Sequence, residues 1–119
     1  MDLALKDTAS HIASTQRSEV WLVSLEPTVG SEIRKTRPCV VVSPNETNRL
    51  LRTVIVAPLT STIKNYPTRI VISFQNRQSS IALDQIRTVD KSRLLKKLGM
   101  IASEEYQSVA DILVEMFSV

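Results

Sequence analysis

The amino-acid sequence predicts an α+β domain that is mainly β: a small barrel of short strands followed by a C-terminal helix. Three observations support this fold class. The chain has 119 residues, a common size for a single domain. Short apolar runs separated by Pro, Gly and Asn fill its middle, as strands with short connections do. The last part of the chain changes to an apolar spacing of three and four residues, which is typical of an amphipathic helix.

Five apolar runs are predicted to form the strands of the barrel, because they are short, rich in β-branched residues and bounded by turn residues. They lie at residues 19–25, 39–43, 53–59, 69–74 and 81–83, and residues 84–89 can continue the last of them. The runs at 39–43 and 53–59 are nearly continuous in apolar residues, which predicts central strands covered on both faces. Residues 91–97 fit either a short helix or a basic loop.

Ser103 is predicted to be the N-cap of the C-terminal helix, because Ser often caps helices. Glu104 and Glu105 follow it and suit the positive end of a helix dipole. One face then repeats apolar residues at helical spacing: Tyr106, Val109, Ala110, Leu113, Met116 and Phe117. This face is expected to be buried. At the other end of the chain, residues 1–16 are rich in Ser, Thr and Ala and are expected to be a flexible extension or a short helix, so that the domain spans residues 17–119.

Charge is distributed unevenly along the chain. The formal net charge is only +3. Residues 34–97, however, hold 13 of the 15 Lys and Arg residues and three of the 12 acidic residues, a net charge of +10. Residues 1–33 carry −3 and residues 98–119 carry −4. A basic surface attracts polyanions or acidic proteins, so nucleic acid is a candidate partner.

A single Cys and a single His exclude several kinds of site. With only Cys39 and His11, the chain cannot form an internal disulfide, a metal site of several Cys and His residues, or a pair of catalytic histidines. Cys39 and Trp21 are both expected in the core. No apolar run approaches the roughly 20 residues that cross a bilayer, and the N-terminus lacks the apolar stretch of a signal peptide. The chain is therefore expected in the cytoplasm, and any catalysis is expected to need no cofactor.

Several short motifs occur in a fixed order along the chain. They are Trp21, Val-Gly-Ser-Glu at 29–32, Arg-Pro at 37–38, the apolar strand at 40–44, Val-Ala-Pro-Leu-Thr at 56–60, Tyr-Pro at 66–67 and Asp-Gln-Ile-Arg-Thr-Val-Asp at 84–90. Over residues 17–118 this ordered set resembles the MazF/PemK family of toxin endoribonucleases, the mRNA interferases of type II toxin-antitoxin systems. The sequence departs from the family at Ser18, where many relatives have Gly.

The resemblance implies a fold, an activity and partners. The fold is a small SH3-like barrel of the CcdB/MazF type, in a chain that forms a homodimer and is silenced by a MazE-like antitoxin. The activity is sequence-specific cleavage of single-stranded RNA, including mRNA, without a metal ion. The 2′-hydroxyl of the RNA is the nucleophile, which leaves a 2′,3′-cyclic phosphate and a 5′-hydroxyl. The motifs carry over Arg37 and Thr60 as catalytic residues and Glu32 as a member of the adjoining loop.

The chemistry of these side chains agrees with part of that assignment. Attack by the 2′-oxygen places negative charge on the phosphoryl oxygens, and the Arg37 guanidinium can donate two hydrogen bonds to them. Thr60 can donate its hydroxyl to the same phosphate. Neither residue is a base at neutral pH, so the general base stays open. Glu32 is either that base or a carboxylate that holds the loop through an Arg or a backbone amide.

Five further polar residues are predicted to bind the RNA. They are Ser31, Lys64, Arg69, Asp84 and Gln85. The basic side chains can contact phosphates, whereas the last two have the donors and acceptors needed at base edges. Aromatic residues are few, so hydrogen bonds rather than broad stacking are expected to read the bases. Arg87 is expected to brace the barrel rather than to touch RNA.

Two other functions fit the same fold. One is a non-enzymatic toxin similar to the CcdB proteins, which bind and poison DNA gyrase. The other is an SH3-like adaptor that binds peptide or RNA without cutting it. The nuclease is favoured because Arg37 and Thr60 are both present in their motifs.

Overall fold

The structure, a computed structural model, describes residues 15–119, and in these residues the chain forms seven strands and two α-helices. The strands are β1 (Glu19–Ser24), β2 (Thr36–Val41), β3 (Thr53–Thr60), β4 (Arg69–Phe74), β5 (Arg77–Ala82), β6 (Arg87–Asp90) and β7 (Leu94–Met100), and the helices are α1 (Asn45–Leu50) and α2 (Ser103–Phe117). Single 3-10 turns at Leu83–Gln85 and Lys91–Arg93 precede β6 and β7. Residues 1–14 of the predicted extension lie outside the described part of the chain.

Strand β3 joins the two parts of the sheet. The strand order is β4-β5-β3-β2-β1-β7, with every pairing antiparallel, and β6 pairs with β3 off this path. On one edge, residues 56–58 of β3 pair with β2. On the other edge, residues 53–56 pair with β6 and residues 59–60 pair with β5. The sheet therefore curls into a half-barrel, and the predicted class, mainly β with a C-terminal helix, is confirmed.

Strands β1 to β3 are buried on both faces over part of their length, at residues 20–21, 39–41 and 56–60. Ile55, within the run at 53–59 that is predicted to be covered on both faces, is 36% exposed. Trp21 and Cys39 belong to a cluster shared with β6 and β7, whereas their neighbours Val20 and Val40 belong to a cluster shared with β4, β5 and α2. All four side chains are at most 1% exposed. Adjacent residues of a strand point to opposite faces, so a strand that is covered on both sides is apolar throughout. This arrangement confirms the central position predicted for residues 39–43 and the core positions predicted for Cys39 and Trp21.

Ser103 is the first residue of helix α2 and not its N-cap, so the predicted cap is wrong by one position. Ala102 is the N-cap, and its backbone N–H donates a hydrogen bond to the Glu105 carboxylate at 2.8 Å. Val109 is fully buried, and Tyr106 packs on the same cluster and donates its hydroxyl to the Val42 carbonyl at 3.0 Å. The predicted apolar face is thus the packed face, except that Phe117 at its end is exposed.

Four segments differ from the predicted elements. Strand β5 begins at Arg77, four residues before the predicted run at 81–83, because its polar first half shows no apolar pattern and is set by its pairing with β4. Residues 84–89 do not continue β5, because the turn Leu83–Gln85 redirects the chain and β6 pairs with β3. Residues 91–97 form neither a helix nor a loop throughout: after one 3-10 turn they enter β7, which pairs with β1. Helix α1 was not predicted, since six residues are too few to show a helical period.

A buried carboxylate links the start of the described chain to β1 and β7. Glu19 is 5% exposed. Its Oε1 accepts hydrogen bonds from the Gln16 backbone N–H at 2.9 Å and from the Trp21 indole at 3.0 Å. Its Oε2 forms an ion pair with the Lys97 ammonium at 2.9 Å. Each of these donors lowers the free energy needed to bury the charge, so the Glu19 carboxylate can remain charged although it is buried.

Ser18 adopts a backbone conformation that favours glycine. Its φ is 80°, in the left-handed region. Its N–H donates to the Val41 carbonyl at 2.9 Å, and its carbonyl accepts from the Ile101 N–H at 3.0 Å, so neighbouring segments hold it in place. The departure from the family's glycine therefore carries a conformational cost for this chain.

We expect Ser18→Gly to raise the free energy of unfolding by about 0.5–1 kcal/mol, because glycine adopts positive φ without the Cβ penalty. Urea denaturation monitored by Trp21 fluorescence measures the change as a higher midpoint at constant slope. Ser73→Gly is the matched control. Ser73 is exposed within β4, where glycine lowers stability by a similar amount. A lower midpoint for Ser18→Gly would contradict the interpretation.

Candidate active site

Three adjoining clefts lie where the β1–β2 loop meets β3 and the β4–β5 hairpin. The central cleft has a volume of about 320 Å³. It shares Ser31, Glu32, Ile33 and Gln85 with a loop-side cleft of about 430 Å³. It shares Arg37 and Thr60 with a hairpin-side cleft of about 260 Å³ that extends along residues 74–79.

All eight predicted site residues line these clefts. Seven line the central cleft: Ser31, Glu32, Arg37, Thr60, Lys64, Arg69 and Gln85. Asp84 lines the loop-side cleft. The clefts are also basic, since six Lys and Arg residues of the central span line them against two acidic residues. The structure therefore brings together residues that are up to 54 positions apart in the sequence.

The β1–β2 loop, residues 25–35, is closed at its base by hydrogen bonds. The Leu25 N–H donates to the Lys35 carbonyl at 2.9 Å. The Glu26 carboxylate accepts from the Lys35 N–H at 2.8 Å, and this bond holds the pKa of Glu26 below its ordinary value. The two ends of the loop are thereby joined, and the strands on either side of it pair in register from Ser24 and Thr36 onward.

Side chains from β6 and the turn before β7 hold the same loop from outside. Arg87 donates to the Leu25 carbonyl at 3.0 Å, as expected for a residue that braces the barrel. Arg93 donates to the Ser24 carbonyl at 3.2 Å and also to the carbonyl of Glu26. Three consecutive carbonyls at the start of the loop are thus bound by two guanidinium groups, which fixes the direction in which the chain leaves β1.

Arg37 lies in β2 on the wall shared by the central and hairpin-side clefts. Its Nε donates to the Arg34 carbonyl at 3.1 Å. Within residues 15–119, its two terminal nitrogens make no hydrogen bond to the protein, and the side chain is half-buried. One bond therefore orients the guanidinium while its outer edge stays available for an anion.

Thr60 ends β3 on the same wall and is 8% exposed. Its Oγ1 accepts a hydrogen bond from the Thr62 N–H at 3.2 Å. Because the oxygen acts as an acceptor in this bond, the hydroxyl proton is available to a ligand in the cleft.

Glu32 holds its own loop. Its Oε1 accepts a hydrogen bond from the Val29 N–H at 2.7 Å. The backbone N–H of Glu32 in turn donates to the Val29 carbonyl at 3.2 Å, and Gly30 in this turn has a φ of 60°. One carboxylate oxygen is therefore used within the loop, and the residue as a whole is exposed in the two clefts that it lines.

Two of the predicted RNA-binding residues bind each other. Arg69 and Asp84 form a two-point ion pair, with Nε–Oδ1 at 2.6 Å and Nη2–Oδ2 at 3.0 Å. Thr68 donates its hydroxyl to the same carboxylate at 3.0 Å. The hydrogen bond from Arg69 holds the pKa of Asp84 below its ordinary value, so the pair stays charged near neutral pH.

The other three predicted RNA-binding residues are less engaged. The Gln85 Oε1 accepts a hydrogen bond from the Ile33 N–H at 2.8 Å, which ties the β1–β2 loop to the turn before β6. Its amide nitrogen makes no hydrogen bond within the described residues. Ser31 and Lys64 are exposed, and their side chains make neither hydrogen bonds nor ion pairs to residues 15–119.

Some cleft residues were not among the predicted site residues. Tyr66 and Thr62 line the central cleft, and Arg77 and Gln78 line the hairpin-side cleft. Tyr66 belongs to the Tyr-Pro motif, and this motif could have identified it from the sequence as a site residue. Arg77 and Gln78 belong to no motif of the sequence. They reach the cleft because β5 pairs with β3, which places the β4–β5 hairpin beside it.

Other chemistry is sparse in the described residues. Cys39 is fully buried, and burial raises the pKa of its thiol to about 12, so it is not a nucleophile at neutral pH. Among residues 15–119, no three His, Cys, Asp or Glu side chains lie close enough together to hold a metal ion. No helix in the same residues is long and apolar enough to cross a membrane.

The sequence of this chain matches a protein family and an individual endoribonuclease. The profile of the family described as "PemK-like, MazF-like toxin of type II toxin-antitoxin system" matches residues 16–117. Endoribonuclease EndoA of Bacillus subtilis (strain 168) is 36% identical over 104 residues, which covers 82% of this chain and 90% of EndoA.

Solved structures agree on the fold. MazF from Deinococcus radiodurans superposes with a TM-score of 0.78 at 21% identity, covering 88% of this chain and 97% of that one. A mycobacterial endoribonuclease, solved in complex with its cognate antitoxin, superposes with a TM-score of 0.76 at 21% identity, covering 89% and 97%. The half-barrel described above is thus the barrel expected from the resemblance. By the profile match and the identity to EndoA, the chain belongs to the PemK/MazF-like toxin family of type II toxin-antitoxin systems.

Proposed function

We propose that this protein is the toxin of a type II toxin-antitoxin pair and that it cuts single-stranded RNA, including mRNA, in the central cleft. The observation that carries the proposal is the presence of Arg37 and Thr60 on one wall of a basic cleft, in a chain 36% identical to an endoribonuclease. Both residues have hydrogen-bonding groups left for a substrate. Cleavage takes place in the cytoplasm, where mRNA is found.

The reaction is transfer of the phosphoryl group to the neighbouring 2′-oxygen. The bond between the 2′-oxygen and phosphorus forms, the bond from phosphorus to the 5′-oxygen breaks, and the products carry a 2′,3′-cyclic phosphate and a 5′-hydroxyl. Negative charge develops on the phosphoryl oxygens during attack. Arg37 donates two charge-assisted hydrogen bonds to them, and Thr60 donates its hydroxyl to the same phosphate.

Glu32 is the proposed general base. The bond from the Val29 N–H to Oε1 fixes the carboxylate, and the second oxygen remains to accept the proton of the 2′-hydroxyl. The proton that the departing 5′-oxygen needs comes from Arg37 or from water. No step requires a metal ion or a cofactor.

Three of the remaining predicted residues are proposed to bind the substrate directly. Lys64 is an exposed cation on the central cleft and suits a phosphate. The free amide nitrogen of Gln85 and the hydroxyl of Ser31 can bind base edges. Arg69 and Asp84 act as a pair, because the guanidinium donates two hydrogen bonds to the carboxylate.

An acidic antitoxin segment is the proposed inhibitor. The central span carries a net charge of +10, so an acidic chain is attracted to the surface that binds RNA. Relatives have been solved with a cognate antitoxin, which supports this partner. The toxin is proposed to act as a homodimer. The alternative function, a CcdB-like poison of DNA gyrase, has no support from the family match.

Incubation of the purified protein with a long single-stranded RNA in EDTA tests the function. We expect discrete fragments ending in cyclic phosphate, because Arg37 and Thr60 act without a metal ion. Gel mapping and end-group analysis provide the measurement. Intact RNA together with inhibition of DNA gyrase would support the CcdB-like alternative instead.

Substitutions at the shared wall test the site. Arg37→Ala and Thr60→Val should each lower the cleavage rate about 100- to 1000-fold, the usual loss for one preorganised donor. Thr60→Ser keeps the hydroxyl and should retain activity. Arg49→Ala, an equal change of charge on exposed α1, should leave the rate unchanged. Wild-type cleavage by Arg37→Ala would contradict the assignment.

A pair of variants separates the two roles of Glu32. Glu32→Gln keeps an oxygen that can accept from the Val29 N–H but removes the base, so cleavage should fall at least about 100-fold. Single-turnover rates are the measurement, with thermal melting as the check on folding. A near wild-type rate for Glu32→Gln, with loss in Glu32→Ala, would instead limit the residue to holding the loop.

A further inference from the structure

Tyr66 lies on the central cleft with half of its surface exposed. It lies between β3 and β4, is 50% exposed, and lines the same cleft as Arg37 and Thr60. The other described aromatic residues differ: Trp21 is buried, Tyr106 is tied to the core, Phe74 is half-buried on the hairpin-side cleft, and Phe117 is exposed on α2. Among residues 15–119, Tyr66 is thus the aromatic side chain that the central cleft contains.

A guanidinium group supports the Tyr66 ring. The Cζ atom of Arg69 lies 5.2 Å from the ring centroid, within the range of a cation–π contact. The backbone N–H of Arg69 also donates to the Tyr66 carbonyl at 3.1 Å. The Arg69 guanidinium therefore contacts the ring, while its backbone N–H holds the main chain of Tyr66.

Asp84 and Thr68 hold that guanidinium in place. Arg69 makes two hydrogen bonds to the Asp84 carboxylate, to which Thr68 adds a third donor. The Arg69 side chain is only 8% exposed, whereas its partner carboxylate is 33% exposed. A guanidinium that is so buried and so fully paired is poorly placed to bind a phosphate. Its position suits support of the tyrosine ring.

An exposed, supported aromatic ring in a basic cleft has the properties of a nucleobase platform. Proteins bind unpaired bases by stacking them on aromatic rings, while nearby cations bind the backbone. Here Lys64 and Arg37 supply cations to the same cleft. A ring that is already held in place loses little conformational freedom on stacking.

We propose that Tyr66 is a stacking platform for one unpaired base of the RNA, next to the phosphate held by Arg37 and Thr60, with the Arg69–Asp84 pair positioning the ring. This inference rests on the proposed function, since it requires RNA in the central cleft. It assigns to Arg69 and Asp84 a role in support of Tyr66 instead of direct contact with phosphate and base. A single platform also agrees with the scarcity of aromatic residues in the chain.

Binding of a single-stranded 2′-O-methyl RNA oligonucleotide tests the platform without cleavage, because its 2′-oxygens cannot attack. Fluorescence anisotropy gives its affinity for the wild type, Tyr66→Phe, Tyr66→Leu and Tyr66→Ala. We expect Tyr66→Phe to bind like the wild type, and both variants that lack a ring to bind about 5- to 150-fold more weakly. Phe117→Ala, which removes an exposed aromatic ring from α2, is the matched control and should bind like the wild type.

Abasic substitution along the oligonucleotide identifies the stacked base. At one position the abasic site should weaken binding to the wild type but add no further loss for Tyr66→Ala, since base and ring act together. Equal losses for both proteins at every position would overturn the platform, as would unchanged affinity of Tyr66→Ala. Because no cleavage is measured, these outcomes are independent of the cleavage assay, and binding without cleavage would count against the nuclease alone.

Discussion

The geometry of the central cleft depends on the hydrogen bonds that hold the backbone of the β1–β2 loop. Arg87 and Arg93 bind the three carbonyls where the loop begins, and Gln85 binds the N–H of Ile33 near its end. Glu26 joins the two ends through Lys35. Connecting segments are usually the mobile part of a fold. Here side chains from the turn before β6, from β6 itself and from the turn before β7 hold the loop that carries Glu32 and leads into Arg37.

Charge in the clefts is divided between residues that hold the structure and residues that remain available. Of the cleft residues, Arg69 is paired with a carboxylate and Arg87 with a carbonyl of the protein. Lys64 has no such partner in the described part of the chain, and Arg37 has one bond that orients it. A basic composition therefore overstates the number of cations that can meet an RNA. The net charge of the whole chain, +3, is in turn smaller than the positive charge of the cleft region, because the acidic residues of both ends cancel much of the +10 of residues 34–97.

The spacing of apolar residues along the sequence was sufficient to predict those strands and helices that bury an apolar face. Each of the five predicted apolar runs overlaps a strand, because such runs record burial on one or both faces, although the run at 81–83 covers only the last two residues of β5. Helix α2 is predicted because Tyr106, Val109 and Leu113 repeat at helical spacing. The same reasoning failed at β7, where Lys96 and Lys97 in an edge strand resemble a basic loop until β1 pairs with them. It also failed at residues 84–89, because the turn Leu83–Gln85 has no local signal and is set by where β6 meets β3.

The sequence by itself determined the fold class, the family and the residues that could form a site, since ordered motifs and apolar periodicity are properties of the chain. Only the tertiary structure decided which of those residues are available. Arg69 and Asp84 are distant in sequence, so their mutual pairing and its effect on Tyr66 follow from the pairing of β4 with β5. Likewise, the bond of Glu32 to the Val29 N–H depends on a turn conformation. A side-chain hydrogen bond forms only when the donor–acceptor distance is correct to within a few tenths of an ångström, roughly 2.7–3.2 Å for N–H···O. Packing sets this distance, and sequence pattern does not record it.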